Sequence, residues 1–151
     1  MILEGAFTVA ASPDRVWRVL LDPAIVAPCV PGCDAVEVVS DREYRTRVTV
    51  TLGPIKTSFA LVVMVTEIDA GRYVATRTTG DEGSRASLLT ANSRVALRAL
   101  DDGGTEVAYR SEVSLSGRLG KFGLGVMKKR AEELAHQFAD NLRAKLAEAP
   151  A

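Results

Sequence analysis

LGKFGLGVMKKRAEELAHQFADNLRAKL, from Leu119 to Leu146, decides the fold. Leu119, Phe122, Val126, Met127, Leu134, Phe138, Leu142 and Leu146 recur at three- and four-residue steps, which places them on one stripe of a helix. Lys128, Lys129, Glu132, Glu133 and Arg143 fall largely on the other side. The stripe is soft near its start, where Gly120, Gly123 and Gly125 stand among large side chains. Glycine inside a helix costs roughly 1 kcal/mol relative to alanine, so this end of the helix needs room or mobility. The segments before it are mainly strand-like, and the apolar stripe therefore has to find its partner surface in a sheet.

Working back towards the N-terminus, Leu3, Gly5, Phe7 and Val9 alternate with Ile2, Glu4, Ala6 and Thr8, the pattern of a first strand. Ser12 then supplies an N-cap, Pro13 fits a first helical position and Asp14 suits the helix dipole, so a short helix carrying Val16, Trp17, Leu20 and Leu21 is expected. Asp22-Pro23 opens a second short helical piece reaching about Val30, broken by Pro28 and Pro31, with Gly32 turning the chain into the next strand. From Ala35 to Leu115 two-residue alternation is interrupted at Ser40-Asp41, Gly53-Pro54, Ala70-Gly71, Gly80 to Gly83 and Asp101 to Gly104, which leaves gaps for six strands. Tyr44, Thr46, Val48, Val50 and Leu52 share one face, as do Val107, Tyr109, Ser111, Val113 and Leu115. The predicted architecture is α+β: a curved seven-stranded antiparallel sheet around one long C-terminal helix, with two short helices after strand 1. A strongly twisted sheet cannot touch a straight helix along its whole length, so a cavity between them is expected.

Composition narrows the function classes. Nineteen basic and nineteen acidic side chains balance to a formal net charge of zero, and no basic stripe with interleaved aromatics is present, which argues against nucleic acid. The length suits a single domain over residues 1–147, with 148–151 frayed. No signal segment or membrane span is legible, so a soluble cytoplasmic protein is expected. Cys29 and Cys33, the two cysteines, are not at the spacing of a redox or zinc pair and are read as reduced thiols packing a corner.

Catalytic chemistry is sparse. His136, the one histidine, sits just off the apolar stripe and is read as a surface residue. Carboxylates and cysteines are not grouped at ligand spacing, so no metal is expected. There is no nucleophile elbow, phosphate-binding loop or dinucleotide fingerprint. The inward strand residues are mainly Val, Leu, Phe, Ala and Thr, with hydroxyls from Tyr44, Tyr109, Ser87, Ser93 and Ser111, a set suited to holding an apolar molecule. Tyr109 and Ser111 are candidates to orient its polar end, because a buried hydroxyl must be hydrogen-bonded. Arg130 falls on the stripe, where a guanidinium snorkels out, pairs with a carboxylate or donates to a ligand.

The opening Leu3-Glu4-Gly5-Ala6-Phe7-Thr8-Val9, the Pro13-x-x-Val16-Trp17 pattern and Cys29-Val30-Pro31-Gly32-Cys33 together resemble the CoxG-like family of carbon monoxide dehydrogenase subunits, a branch of the START-like, helix-grip superfamily. Leu52-Gly53-Pro54-Ile55-Lys56, Gly103-Gly104-Thr105 and Gly117-Arg118-Leu119-Gly120 extend the resemblance over nearly the whole chain. It implies a helix-grip fold, an apolar cavity for a lipid-like ligand, association with a molybdenum-containing carbon monoxide dehydrogenase and peripheral contact with the cytoplasmic membrane face.

The expected function is that of a non-catalytic binding protein holding an isoprenoid quinone, menaquinone-like, with no covalent cofactor, and linking the dehydrogenase to the membrane respiratory chain. Val48, Val50, Phe59, Leu61, Leu89, Ala91, Val113, Phe122, Val126 and Met127 are the candidate contacts for tail or ring; Tyr109, Ser111 and Arg130 are the candidate head-group contacts. Two alternatives stand beside it. One is an assembly or membrane-recruitment factor for the dehydrogenase that needs no ligand. The other is a cyclase or hydrolase of the same superfamily with Tyr109 or a cavity carboxylate as acid or base.

Overall fold

The computed structural model describes residues 1–82, 87–117, 119 and 124–148. Strand β1 runs Ile2–Val9 and is followed by helix α1, Pro13–Leu20, helix α2, Pro23–Val26, and a short 3-10 turn, Ala27–Cys29. Six strands follow: β2 Cys33–Ser40, β3 Glu43–Leu52, β4 Ile55–Asp69, β5 Tyr73–Asp81, β6 Ser87–Ala99 and β7 Thr105–Gly117; helix α3, Leu124–Ala147, comes last. The start of α1 is built as its sequence dictates, with the Ser12 side chain accepting the Arg15 N–H at 3.3 Å and Pro13 in the first turn. Asp22 caps α2 in the same way, accepting the Ala24 N–H at 3.1 Å.

All strand pairs are antiparallel, in the spatial order β1-β7-β6-β5-β4-β3-β2. After β1 the chain crosses through α1 and α2 to the far edge and meanders back until β7 lies beside β1. This is the helix-grip arrangement expected from the sequence. Register places the inward rows: Leu61 faces Gly80, Gly80 faces Leu89 and Leu89 faces Leu115, while the next row runs Tyr44, Val63, Thr78, Ala91 and Val113.

The apolar interior has two parts. Val9, Val16, Cys29, Val107, Leu142 and Leu146 form a tight cluster where α1 and the C-terminal half of α3 meet the sheet, with Val16 and Leu142 fully buried. Leu52, Phe59, Leu119 and Met127 form the second, under the N-terminal part of α3. Asn141 ties the first cluster together, its Nδ2 donating to the Cys29 carbonyl at 2.9 Å. Thr105, with no exposed surface, fastens the β1–α1 connection by donating its hydroxyl to the Ala11 carbonyl at 2.8 Å. Thr105→Val keeps the shape but removes that donor; a loss of about 1–2 kcal/mol is expected, read as a lower urea midpoint at unchanged slope.

Two details depart from the sequence reading. Leu119, read as the first residue of the long helix, lies outside the described range of α3 and is buried beside Ser87, whose Oγ accepts its N–H at 3.1 Å. Val126, read as part of the inward stripe, is 48% exposed, whereas Met127 is buried. Neighbouring helix positions point about 100° apart, so both cannot occupy the centre of one stripe, and the buried line follows Met127, Ala131, Leu134, Phe138, Leu142 and Leu146.

Candidate functional site

The tight packing of the C-terminal half of α3 leaves its N-terminal half standing off the sheet. The space between is a chamber of about 170 Å³. Val48, Val50 and Leu52 of β3, Phe59 and Leu61 of β4, Leu89 of β6, Val113 and Leu115 of β7, and Met1 line the sheet side; Leu119, Met127, Arg130, Ala131 and Leu134 close it from above. Two-residue alternation on the strands and a three- to four-residue step on α3 converge on this one space.

Arg130 is the only charged side chain among the described residues that line it. Its Nε donates to the Thr51 carbonyl at 2.9 Å and its Nη1 to Glu133 Oε2 at 3.1 Å. The guanidinium is thus held at the rim, clasping α3 to the end of β3, and the interior of the chamber is left apolar. Beyond that rim, Glu82 is buried, its Oε1 accepting from Thr57 Oγ1 at 2.8 Å, and its N–H donates to the Ser87 carbonyl at 3.2 Å.

Of the candidate contacts read from the sequence, Val48, Val50, Phe59, Leu61, Leu89, Val113, Met127 and Arg130 are brought together around the chamber. Ala91 faces inward one row away, between Thr78 and Val113. Val126 lies on the outer side of α3, and Phe122 lies outside the described residues. Ser111 Oγ is paired with Ser93 Oγ at 2.7 Å, and the Tyr109 ring packs against Gly5 with its centroid 6.4 Å from that of Phe7. Tyr109 thus leans over β1 and Ser111 towards β6, and neither is among the residues that line the chamber. His136 is exposed. Met1 and Ala131 had no signal in the sequence, while Glu82 carried a weak one: it continues the inward parity of Thr78 and Gly80 past the end of β5.

Titration behaviour follows burial. Burial pushes the Cys29 thiol above its ordinary value, with Lys145 opposing and Glu148 adding to the rise. Tyr44 is likewise raised, mainly by burial and secondarily by Cys33. Cys29 and Cys33 are free thiols. No group of His, Cys, Asp and Glu able to hold a metal ion occurs among the described residues, and no helix among them is long and apolar enough to cross a membrane. The arrangement is suited to enclosing an apolar chain.

Comparison with known proteins agrees with this geometry. The family model for CoxG, a carbon monoxide dehydrogenase subunit, matches residues 5–147. No curated protein matches the sequence. Among solved structures, a conserved protein from Geobacillus kaustophilus superposes with a TM-score of 0.89 at 20% identity, covering 97% of this chain and 95% of that one. A START superfamily protein from Mycobacterium smegmatis gives 0.73 at 15% identity, covering 96% of each chain. The Zhui aromatase/cyclase from Streptomyces sp. R1128 gives 0.69 at 18% identity, covering 97% and 93%. At these identities the likeness is one of fold.

Proposed function

The chain belongs to the CoxG family of carbon monoxide dehydrogenase subunits, and from that premise we propose that it is a non-catalytic carrier that takes the tail of a menaquinone-like quinone into the chamber beneath α3. The observation that supports this reading is the chamber itself, whose walls are apolar apart from an arginine already engaged by Thr51 and Glu133. The carrier would present the quinone to a molybdenum carbon monoxide dehydrogenase and return it to the cytoplasmic membrane, linking a water-soluble enzyme to a respiratory chain whose quinone is nearly insoluble in water.

Burying an isoprenoid tail contributes about 25 cal/mol for each Å² removed from water, and the bilayer offers the same shelter, so exchange between carrier and membrane runs near balance. Ligand pockets commonly span roughly 300–1,000 Å³. A chamber of about 170 Å³ encloses part of a tail, leaving the quinone ring to be held elsewhere.

The test is organic extraction of the natively expressed protein, followed by mass spectrometry and a reduced-minus-oxidised ultraviolet spectrum. A stoichiometric quinone is expected. An extract without quinone, combined with no uptake from quinone-loaded liposomes, would overturn the carrier reading and favour a ligand-free assembly factor.

A further inference from the structure

A second chamber, of about 430 Å³, lies on the same inward face of the sheet, beneath the corner formed by α1 and α2. Leu20, Leu21 and Pro23 of the corner cover it, and Tyr44 of β3, Val65 of β4 and Thr76 of β5 line the sheet side. Tyr44 stands four residues before Val48 on β3 and Val65 four residues after Leu61 on β4, so the two chambers are about 13 Å apart along the strands, at a rise of about 3.3 Å per residue. The inward residues between them are small or slender: Thr46, Val63, Thr78 and Ala91.

Tyr44 is the distinctive residue here. The hydroxyls of Ser93, Ser111 and Thr57 are all engaged with other side chains, whereas those of Tyr44, Thr76 and Tyr109 have no hydrogen-bond partner among the described residues; of these three, Tyr44 and Thr76 line the chamber and Tyr109, stacked under Gly5, does not. A phenol in an apolar wall offers a strong neutral donor, and because no side-chain polar atom among the described residues is buried without a partner, the Tyr44 hydroxyl opens on accessible space where a ligand can meet it. Burial also holds this phenol in its protonated, donating form to higher pH than usual. Among the described residues no lysine lines the chamber, and the one arginine there, Arg42, is preceded along the rim by Asp41. A carboxylate or phosphate would be poorly matched to that pair; a neutral carbonyl on a flat ring needs only the donor and the apolar walls.

We propose that the chamber beneath the α1–α2 corner holds the carbonyl-bearing ring of the ligand, with the Tyr44 hydroxyl donating to a ring carbonyl oxygen and Thr76 beside it, while the tail runs into the chamber beneath α3. This rests on the carrier reading and adds the position and chemistry of the head group. Tyr44, Thr76 and the corner replace Tyr109, Ser111 and Arg130 in that role.

The experiment separates ring from tail. The wild-type protein and Tyr44→Phe are titrated with menadione, a quinone ring without a prenyl tail, and with farnesene, a prenyl hydrocarbon without a ring, by protein-detected NMR. The single Trp17 indole signal is a convenient reporter, because Trp17 lies three and four residues before Leu20 and Leu21 on the same side of α1. Loss of one neutral hydrogen bond should weaken menadione about 3- to 10-fold, with farnesene affinity within about 2-fold of wild type. Equal menadione affinity in the two proteins, or equal weakening of both probes, overturns the head-group assignment while farnesene binding leaves the carrier reading standing. Failure of wild-type protein to bind either probe overturns both.

Discussion

Gly32→Ala is expected to destabilise the protein by about 3 kcal/mol, summing the left-handed backbone cost with that of forcing neighbouring structure to move. Gly32 has φ +82°, and a Cβ built there lies 2.0 Å from the Thr49 carbonyl oxygen, which is backbone and cannot swing away as a side chain would. The same residue accepts the Thr49 N–H at 3.0 Å, so shifting it also weakens the bond that sets β2 against β3. Its corner is tied to α3 through the Cys29 carbonyl and Asn141, which spreads the strain into the tight cluster. For a domain of this length, about 3 kcal/mol lowers Tm by roughly 6–12 °C. Gly71→Ala is the control: its φ is +77° but nothing lies within 4 Å of the added Cβ, so only the conformational cost of about 1–2 kcal/mol applies. Equal losses at the two sites would show that contact with β3 carries none of the effect.

Gly32 also shows which parts of this molecule the sequence makes legible. The Pro-Gly turn, the Ser12 and Asp22 caps and the alternation along β3 and β7 are local features, fixed by a few neighbouring residues, and they appear where the sequence places them. The apolar lining was legible for the same reason, since parity along a strand tells which residues turn inward. What periodicity does not carry is rotation and partnership. Val126 and Met127 are adjacent apolar residues near the start of a glycine-softened helix, and their own spacing does not say which is buried; the packing of Leu134, Leu142 and Leu146 further along decides it. Likewise, Tyr44, Tyr109 and Ser111 are all inward hydroxyls in the sequence. Only the β6–β7 register sets Ser93 opposite Ser111, and only the β1–β7 register lays the Tyr109 ring on Gly5, while Tyr44 alone of the three lines a chamber. Residue type supplied the inward hydroxyls, and long-range pairing decides which of them line a chamber.

Leu89→Trp is expected to reduce quinone uptake from loaded liposomes at least tenfold while leaving the protein folded. Leu89 projects from β6 into the chamber beneath α3, facing Gly80 on one neighbouring strand and Leu115 on the other. The space over Gly80 is already filled by the Leu61 side chain, so an indole at position 89 is turned into the chamber of about 170 Å³. Excluding about 60 Å² of tail from that shelter lowers affinity by roughly 1.5 kcal/mol, which is about tenfold. Overpacking elsewhere in a core costs about 1–3 kcal/mol, but here the indole fills existing space and its own burial offsets that cost, so the urea midpoint should move little. Uptake at the wild-type level in a folded variant would remove the chamber from the carrier reading. Loss of uptake with retained co-purification of the dehydrogenase would show that the enzyme is recognised through the outer surface and the quinone through the interior. A ligand-free assembly factor predicts the same retained co-purification, and differs from the carrier in that the wild-type protein takes up no quinone for the substitution to abolish.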